Sequence, residues 1–412
     1  MLDTIRLARA ISRVELAHRT GLTAQTVSSI ARRLLEDGLI EEGTREPSTG
    51  GKPRTPLRVN PSAGAAVGVH VDPHLINVMV IDLGGNVLYS AKTAPPTKSG
   101  ATPLVDKLAE QINAATADPT VRERRLLGVG IAVPGPIDRA TGQVLRPPNM
   151  PGVTDVPLRK AVTDRLDTTP LQVVIENDAT AAAIGEHWFG GDNRADDFVY
   201  LYLGTGVGAG LFIDGNVYRG VTGNGGEIGH CSVNESGPLC DCGNRGCLEL
   251  YCSPRAVVAA AGRGTASSRR APSALNRAYA KVCTDATTGD AAAVTAVETA
   301  SSRLATATLT LVNVLDITHV VLGGPALLDG VAERYLEAVR ETIRSQAYTR
   351  QVRDVSVERS LLGVDAAAFG AASSVFHEVM APRLPLLPEQ SGLRRSHSRV
   401  LESLGRAADR TR

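Results

Sequence analysis

Cysteine and aromatic residues are scarce here: six Cys and one Trp among 412 residues, with Phe, Trp and Tyr together at 3%. So few cysteines in so long a chain exclude a disulfide-stapled secreted scaffold, which is short and cysteine-dense. No apolar run approaches the roughly 20 residues of a membrane span. The opening "MLDTIRLARAISR" carries charge throughout and offers no apolar signal-peptide core. These absences lead to the expectation of a cytoplasmic protein in a reducing compartment. Net charge is nearly absent too, at +1, but it is unevenly spread. Residues 1–60 hold ten Arg and Lys against seven Asp and Glu, and residues 381–412 hold seven Arg against three acids, so the body between is acidic. Basic ends on an acidic body point to a polyanion as partner. A chain of this length exceeds one compact core, and two or three domains are expected.

What is present begins with "ISRVELAHRTGLTAQTVSSIARRLLEDGLI". Ser12 and Glu15 form a capping box, and Val14, Leu16 and Ala17 supply the apolar side of the helix it starts. Gly21 breaks that helix and Thr23 caps the next, whose Val27, Ile30 and Leu34 recur at helical spacing. Gly38 stops it at C′. Two short helices joined by such a turn make a helix-turn-helix. "EEGTREPSTGGKPRTPLRVNP" reads as two short extended segments around a basic loop, which makes the motif winged. The second helix would present Gln25, Thr26, Ser28, Ser29 and Arg32 to a major groove, with Lys52 or Arg54 of the wing on phosphates or in the minor groove. A helical hairpin that binds another protein is the competing reading.

From residue 61 apolar strands alternate with Ala-rich helices, the texture of an α/β fold. "AAVGVHVDPHLINVMVIDLGGNVLYSAKT" reads as three strands with turns at Asp72–His74 and Gly84–Asn86. A similar strand–turn–strand begins near 197, which points to an internal duplication. "GTGVGAG" (204–210) is not a dinucleotide fingerprint, because it lies between two β-type runs rather than opening a helix. Its glycines either expose N–H groups to a phosphate or serve sterics alone. "ENDATAAA" puts Asn177 and Asp178 at the carboxyl end of a strand, where open α/β sheets bind ligands. The pair suits sugar hydroxyls, and it equally suits an N-cap. "CDCGNRGCLE" crowds three of the six cysteines ten residues after "GEIGH". In a reducing compartment such clusters bind metal more often than they pair with each other.

Together these pieces resemble the ROK family (repressor, open reading frame, kinase), in its branch with a DNA-binding N-terminal domain. The resemblance covers about residues 1–380 and rests on the winged motif, "VPGPID", "PPNMPG", "ENDATAAA", "GTGVGAG", "GNGGEIGH" and "CDCGNRGCLE". It implies a winged helix-turn-helix at 1–60 followed by a two-lobed actin-like ATPase (sugar kinase) fold. The lobes would be 61–185, with a return of the chain near 365–380, and 186–364 with the metal site. It implies one structural zinc held by His230, Cys240, Cys242 and Cys247, a closed tetrahedral set that leaves no position for a catalytic water. Sugar contacts are implied for Asn177, Asp178, Glu227, His230 and Glu249, with Asn149 of "PPNMPG" a further candidate.

Two departures matter. The kinases carry a D-x-G-G-T turn that cradles ATP phosphates, and this chain has Asp72-Pro73-His74-Leu75 there. Proline removes a donor and leucine adds bulk, so no catalytic residue is expected, although Asp178 matches the kinases' general base. The stretch before Ser12 is also shorter than the family's, so a short first helix or an upstream start is expected. The tail 381–412 has no counterpart in the family and is expected to be a disordered basic appendage. The reading is a sugar-responsive repressor of double-stranded operator DNA, acting as a homodimer or homotetramer with no membrane partner. An active sugar kinase carrying a DNA-binding domain is the alternative.

Overall fold

The computed structural model describes residues 1–44, 55–167, 171–190, 196–264 and 272–380. Residues Met1–His377 form one compact unit, and Glu378–Arg412 are grouped apart from it. The expected appendage at 381–412 and the wing residues Lys52 and Arg54 lie outside the described residues.

The amino end is a three-helix winged domain. Helix α1 (Leu2–Leu7) precedes α2 (Arg13–Thr20), whose start is the capping box Ser12/Glu15, with both reciprocal bonds present. Gly21 closes α2 in the left-handed region at φ 67°, and Thr23 accepts from Thr26 N–H to start α3 (Ala24–Glu36). Strands β1 (Ile40–Glu42) and β2 (Leu57–Val59) pair antiparallel. Ile5, Ile11, Leu16, Val27, Ala31, Ile40 and Leu57 fill the core. Removing a side chain such as Leu16 from water contributes about 1.5–3 kcal/mol. Val14 departs from the expected apolar side. It is 72% exposed, because two positions along a helix from Leu16 is about 200° around it.

The body contains two five-stranded sheets of one plan. In the first, β3 (Ala65–Asp72), β4 (Leu75–Asp82) and β5 (Val87–Thr93) run antiparallel, and β6 (Leu126–Val133) and β9 (Gln172–Asn177) continue parallel to β3, in the order β5-β4-β3-β6-β9. In the second, β10 (Phe198–Leu203), β11 (Val207–Ile213) and β12 (Asn216–Tyr218) are antiparallel, and β13 (His319–Gly323) and β14 (Ser356–Arg359) are parallel to β10, in the order β12-β11-β10-β13-β14. The duplication seen in the sequence is this repeated order. Between the sheets lie α6 (Asp178–Gly190) and α12 (Ala366–Met380), around a core of Ala179, Ala181–Ile184, Phe198, Phe212, Ala366, Ala367 and Ala371. The two helices touch backbone to backbone, since a Cβ at Gly370 would overlap the Ala181 carbonyl and one at Gly185 would sit 2.6 Å from the Ala366 oxygen.

Only Gly204 and Gly206 of "GTGVGAG" belong to the β10–β11 turn. Gly208 and Gly210 lie within β11, and a Cβ on Gly210 would sit 2.5 Å from the Ala179 carbonyl. Their role is close packing against α6.

Candidate functional site

The corner between β9 and α6 does two jobs. Asn177 Oδ1 accepts from the N–H groups of Ala179 (2.9 Å) and Thr180 (3.2 Å), so it caps the helix while its Nδ2 stays available. That nitrogen and Glu227 Oε1 approach Gly135 of "VPGPID" so closely that a Cβ there would lie 3.2 and 2.9 Å from them. On the other side, Glu249 Oε2 lies 2.7 Å from where a Gly206 Cβ would stand. Asn177, Asp178, Glu227, His230 and Glu249 thus gather at the mouth between the sheets. Asn149 does not join them by any described contact; it is exposed, and its Oδ1 accepts from Arg255 at 3.1 Å.

Burial raises the carboxyls of this cluster. Asp178 is pushed up to about 7, first by burial and then by the charges of Asp72 and Glu227. Glu227 and Glu249 are raised for the same first reason, with His230 opposing. With its pKa at about 7, Asp178 can both give and accept hydrogen bonds near neutral pH, which suits hydroxyl ligands. The linkage has a definite sign. A folded pKa above the ordinary carboxylate value gives stability that is complete below about pH 4 and lost as pH rises through about 7. Asp178→Asn is therefore expected to flatten the decline. Between about pH 5 and pH 8 the unliganded wild type should lose roughly 3–6 °C of melting temperature relative to the variant. Parallel melting curves at both pH values would contradict this.

Several residues that hold the site were not singled out from the sequence. Glu176, fully buried in β9, accepts from Arg139 Nε at 3.3 Å and Arg219 Nε at 2.8 Å. Asn224 grips the backbone of Ile137, with both its N–H and C=O at 2.8 Å. These contacts tie the loop carrying Glu227 and His230 to the first sheet. The one signal in the sequence is a charged residue inside the apolar run "VVIEN".

His230, Cys240, Cys242 and Cys247 bring one ligand atom each to within 4.8 Å of the others. Cys240 Sγ is 3.7 Å from His230 Nδ1, and Cys242 Sγ is 3.6 Å from Cys247 Sγ. A tetrahedral ion with sulfur at about 2.3 Å needs edges of about 3.8 Å, so the spacing fits a metal. It is too long for a disulfide, and all six cysteines are free. The turn is built for this, since Cys240 N–H bonds Asn244 C=O at 2.8 Å, and a side chain on Gly246 (φ 62°) would overlap the Asn234 carbonyl. Burial, then the neighbouring thiols, pushes Cys247 up to about 12, so a cation is needed to hold it as thiolate. Cys231, Cys252 and Cys283 stand outside the cluster.

The backbone of the turn between β3 and β4 offers no donor to an anion. Pro73 has no N–H, His74 N–H is taken by Asp72 Oδ1 at 2.8 Å, and Asp72 and Leu75 are ladder partners. Beyond it opens a pocket of about 360 Å³ lined by His70, Asp72, His74, Leu75, Thr205 and Tyr279 among others, with neither Lys nor Arg among the described residues of its lining. Asp72 is pushed up to about 6 and His70 down to about 4, both first by burial.

On the winged domain, Gln25, Thr26, Ser29 and Arg32 of α3 are exposed and Ser28 is half-buried. Thr26 is partly engaged, its hydroxyl 2.9 Å from that of Thr23. If Arg32 contacts a phosphate, Arg32→Ala should weaken binding to operator DNA about tenfold and lower the salt slope by about one. Unchanged affinity and slope in an anisotropy titration would remove Arg32 from the interface.

A winged helix-turn-helix joined to a two-lobed, actin-like sugar-kinase fold defines a DNA-binding transcriptional regulator built on a kinase body. Residues 2–41 match the winged helix-turn-helix DNA-binding model, and residues 66–378 match the model of the ROK family. The chain belongs to the ROK family. It is 28% identical over 392 residues to the xylose repressor of Caldicellulosiruptor bescii, covering 92% of this chain and 95% of that one. A ROK glucokinase from Streptomyces griseus, solved with glucose and AMPPNP, is 30% identical over 76% of this chain and 99% of its own, with a TM-score of 0.62. A ROK transcriptional regulator homologous to the E. coli MLC protein shares the fold at a TM-score of 0.69, with 23% identity over 91% of this chain and 97% of its own.

Proposed function

We propose that this protein is a sugar-responsive repressor that grips a neutral sugar or amino sugar at the Asn177, Asp178 and Glu227 cluster of the interlobe cleft and does not phosphorylate it. The observation that carries this is the β3–β4 turn, whose backbone donors are spent, beside a pocket with neither Lys nor Arg among the described residues of its lining. Phosphoryl transfer is mainly positioning and charge stabilisation, so a donor that is not seated leaves Asp178 without a reaction. Asp178, Asn177, Glu227, His230 and Glu249 then serve to hold hydroxyls.

Zinc is the metal that fits the Cys3His set, because thiolates favour it over magnesium or calcium and four ligands close the site. When bound it supplies structure and no chemistry. His230 Nδ1 faces the thiols, which leaves Nε2 for a sugar hydroxyl. A homodimer or homotetramer would present paired recognition helices to half-sites about one turn apart, in the cytoplasm. Among the described residues no helix is long and apolar enough to cross a membrane.

A thermal-shift screen of D-xylose, D-glucose, N-acetyl-D-glucosamine and their phosphates is the test. At least one neutral sugar should stabilise the protein, and Glu249→Gln should reduce the shift. Stabilisation by the phosphates alone would contradict the neutral-ligand reading.

A further inference from the structure

The winged domain meets the body at one buried cation. Arg6 of α1 is 9% exposed, its Nη1 donates to the Trp188 carbonyl at 2.6 Å, and its guanidinium lies 4.0 Å over the Trp188 ring. Asp3 accepts from Arg6 Nε at 3.3 Å. Trp188 belongs to α6, the helix whose first residue is Asp178, and ten residues at 1.5 Å each put the two about 15 Å apart on one rod. The indole packs 5.2 Å from Phe376 and edge-on at 5.5 Å to His377, both of α12.

Each helix packs closely on a different sheet. Helix α6 packs on the second sheet through Gly210, while α12 packs on the first, where a Cβ at Gly130 would overlap the Ala371 carbonyl. At the glycine contact of Gly185 with Gly370 no side chain separates the two backbones. Any closure of the lobes around a ligand at Asp178 must slide α6 on α12, and packed helices do so in small shear steps. The far end of that sliding seam is the Trp188–Phe376–His377 cluster on which Arg6 rests. The seat is poised rather than over-stabilised, because Arg6 Nη2 and Trp188 Nε1 are buried without hydrogen-bond partners.

We propose that Arg6 on Trp188 is the coupling between the ligand cleft and the DNA-binding domain: the guanidinium is seated in one arrangement of α6 on α12 and released in the other. This rests on the cleft binding a sugar that closes the lobes. Arg6 is a positioning residue that touches neither ligand nor DNA.

The tryptophan is the chain's only one, so its emission reports on the contact directly. The full chain is compared with Arg6→Lys, which keeps charge but not the planar stack, and with Trp188→Phe. The duplex is one selected from a random library for tight binding, and the sugar is whichever of the screened neutral sugars calorimetry shows to bind. Wild-type emission should change on adding the sugar and, by reciprocity, on adding the duplex. In Arg6→Lys both changes should vanish while sugar affinity stays within about twofold. The ratio of duplex Kd with and without sugar should fall from at least about fivefold to below about twofold in both variants. A ratio kept in either variant whose melting temperature matches wild type would overturn the coupling. If no sugar binds wild type, the cleft reading fails, and the duplex arm alone decides: wild-type emission unmoved by DNA, or moved equally in Arg6→Lys, sinks the proposal.

Discussion

Purified under metal-free buffers, the protein should still carry about one zinc per chain, and Cys247→Ser should lose it. The ion would close a set already spaced for it, at 3.6 and 3.7 Å across two edges, and would fix the turn between His230 and Glu249. A metal held at a thousandfold over its Kd contributes about 4 kcal/mol, so its loss should lower the melting temperature by on the order of 10 °C. Ligand affinity should fall with it, by roughly 10- to 100-fold, because His230 and the two glutamates lose their support. Elemental analysis of wild type and variant, with melting and sugar calorimetry on both, checks each part. No zinc in wild type, or unchanged stability and sugar affinity in Cys247→Ser, would remove the metal from the account.

The second large effect is an absence of turnover. A typical kinase of this chemistry runs at about 1–100 per second, and misplacing the donor by ~1 Å costs about a hundredfold. Here the turn that should receive the phosphates has lost one donor to Pro73 and spends another on Asp72. A coupled ADP-release assay with Mg-ATP across pentoses, hexoses and amino sugars should give rates at least about a hundredfold below that range. Asp178→Asn should then alter sugar affinity and leave ADP release at its low level. Turnover near one per second that Asp178→Asn abolishes would make the protein a kinase.

Local chemistry explains which parts could be read in advance. The capping box at Ser12 and Glu15, the Gly21 and Gly38 stops and the Cys3His spacing are short-range patterns, and each appears as expected. Strands and turns from 65 to 93 follow for the same reason. Val14 misled because an apolar residue beside a helix core need not face it. Long-range pairs were out of reach. Glu176 meets Arg139 and Arg219 at separations of 37 and 43 residues, Asn224 meets Ile137 at 87, and Arg6 meets Trp188 at 182. No periodicity carries such information. The two strand glycines, Gly208 and Gly210, look like loop residues until the helix they receive is placed against them.

One titration tests the central claim most directly: fluorescence anisotropy of a tightly bound duplex against the full chain, with and without a neutral sugar that calorimetry shows to bind. The account predicts that the sugar changes the duplex Kd at least about fivefold, the lower end of ordinary allosteric coupling, with no nucleotide present. A Kd for DNA that stays the same with the cleft saturated would contradict it, and the protein would then bind sugar and DNA as unconnected events.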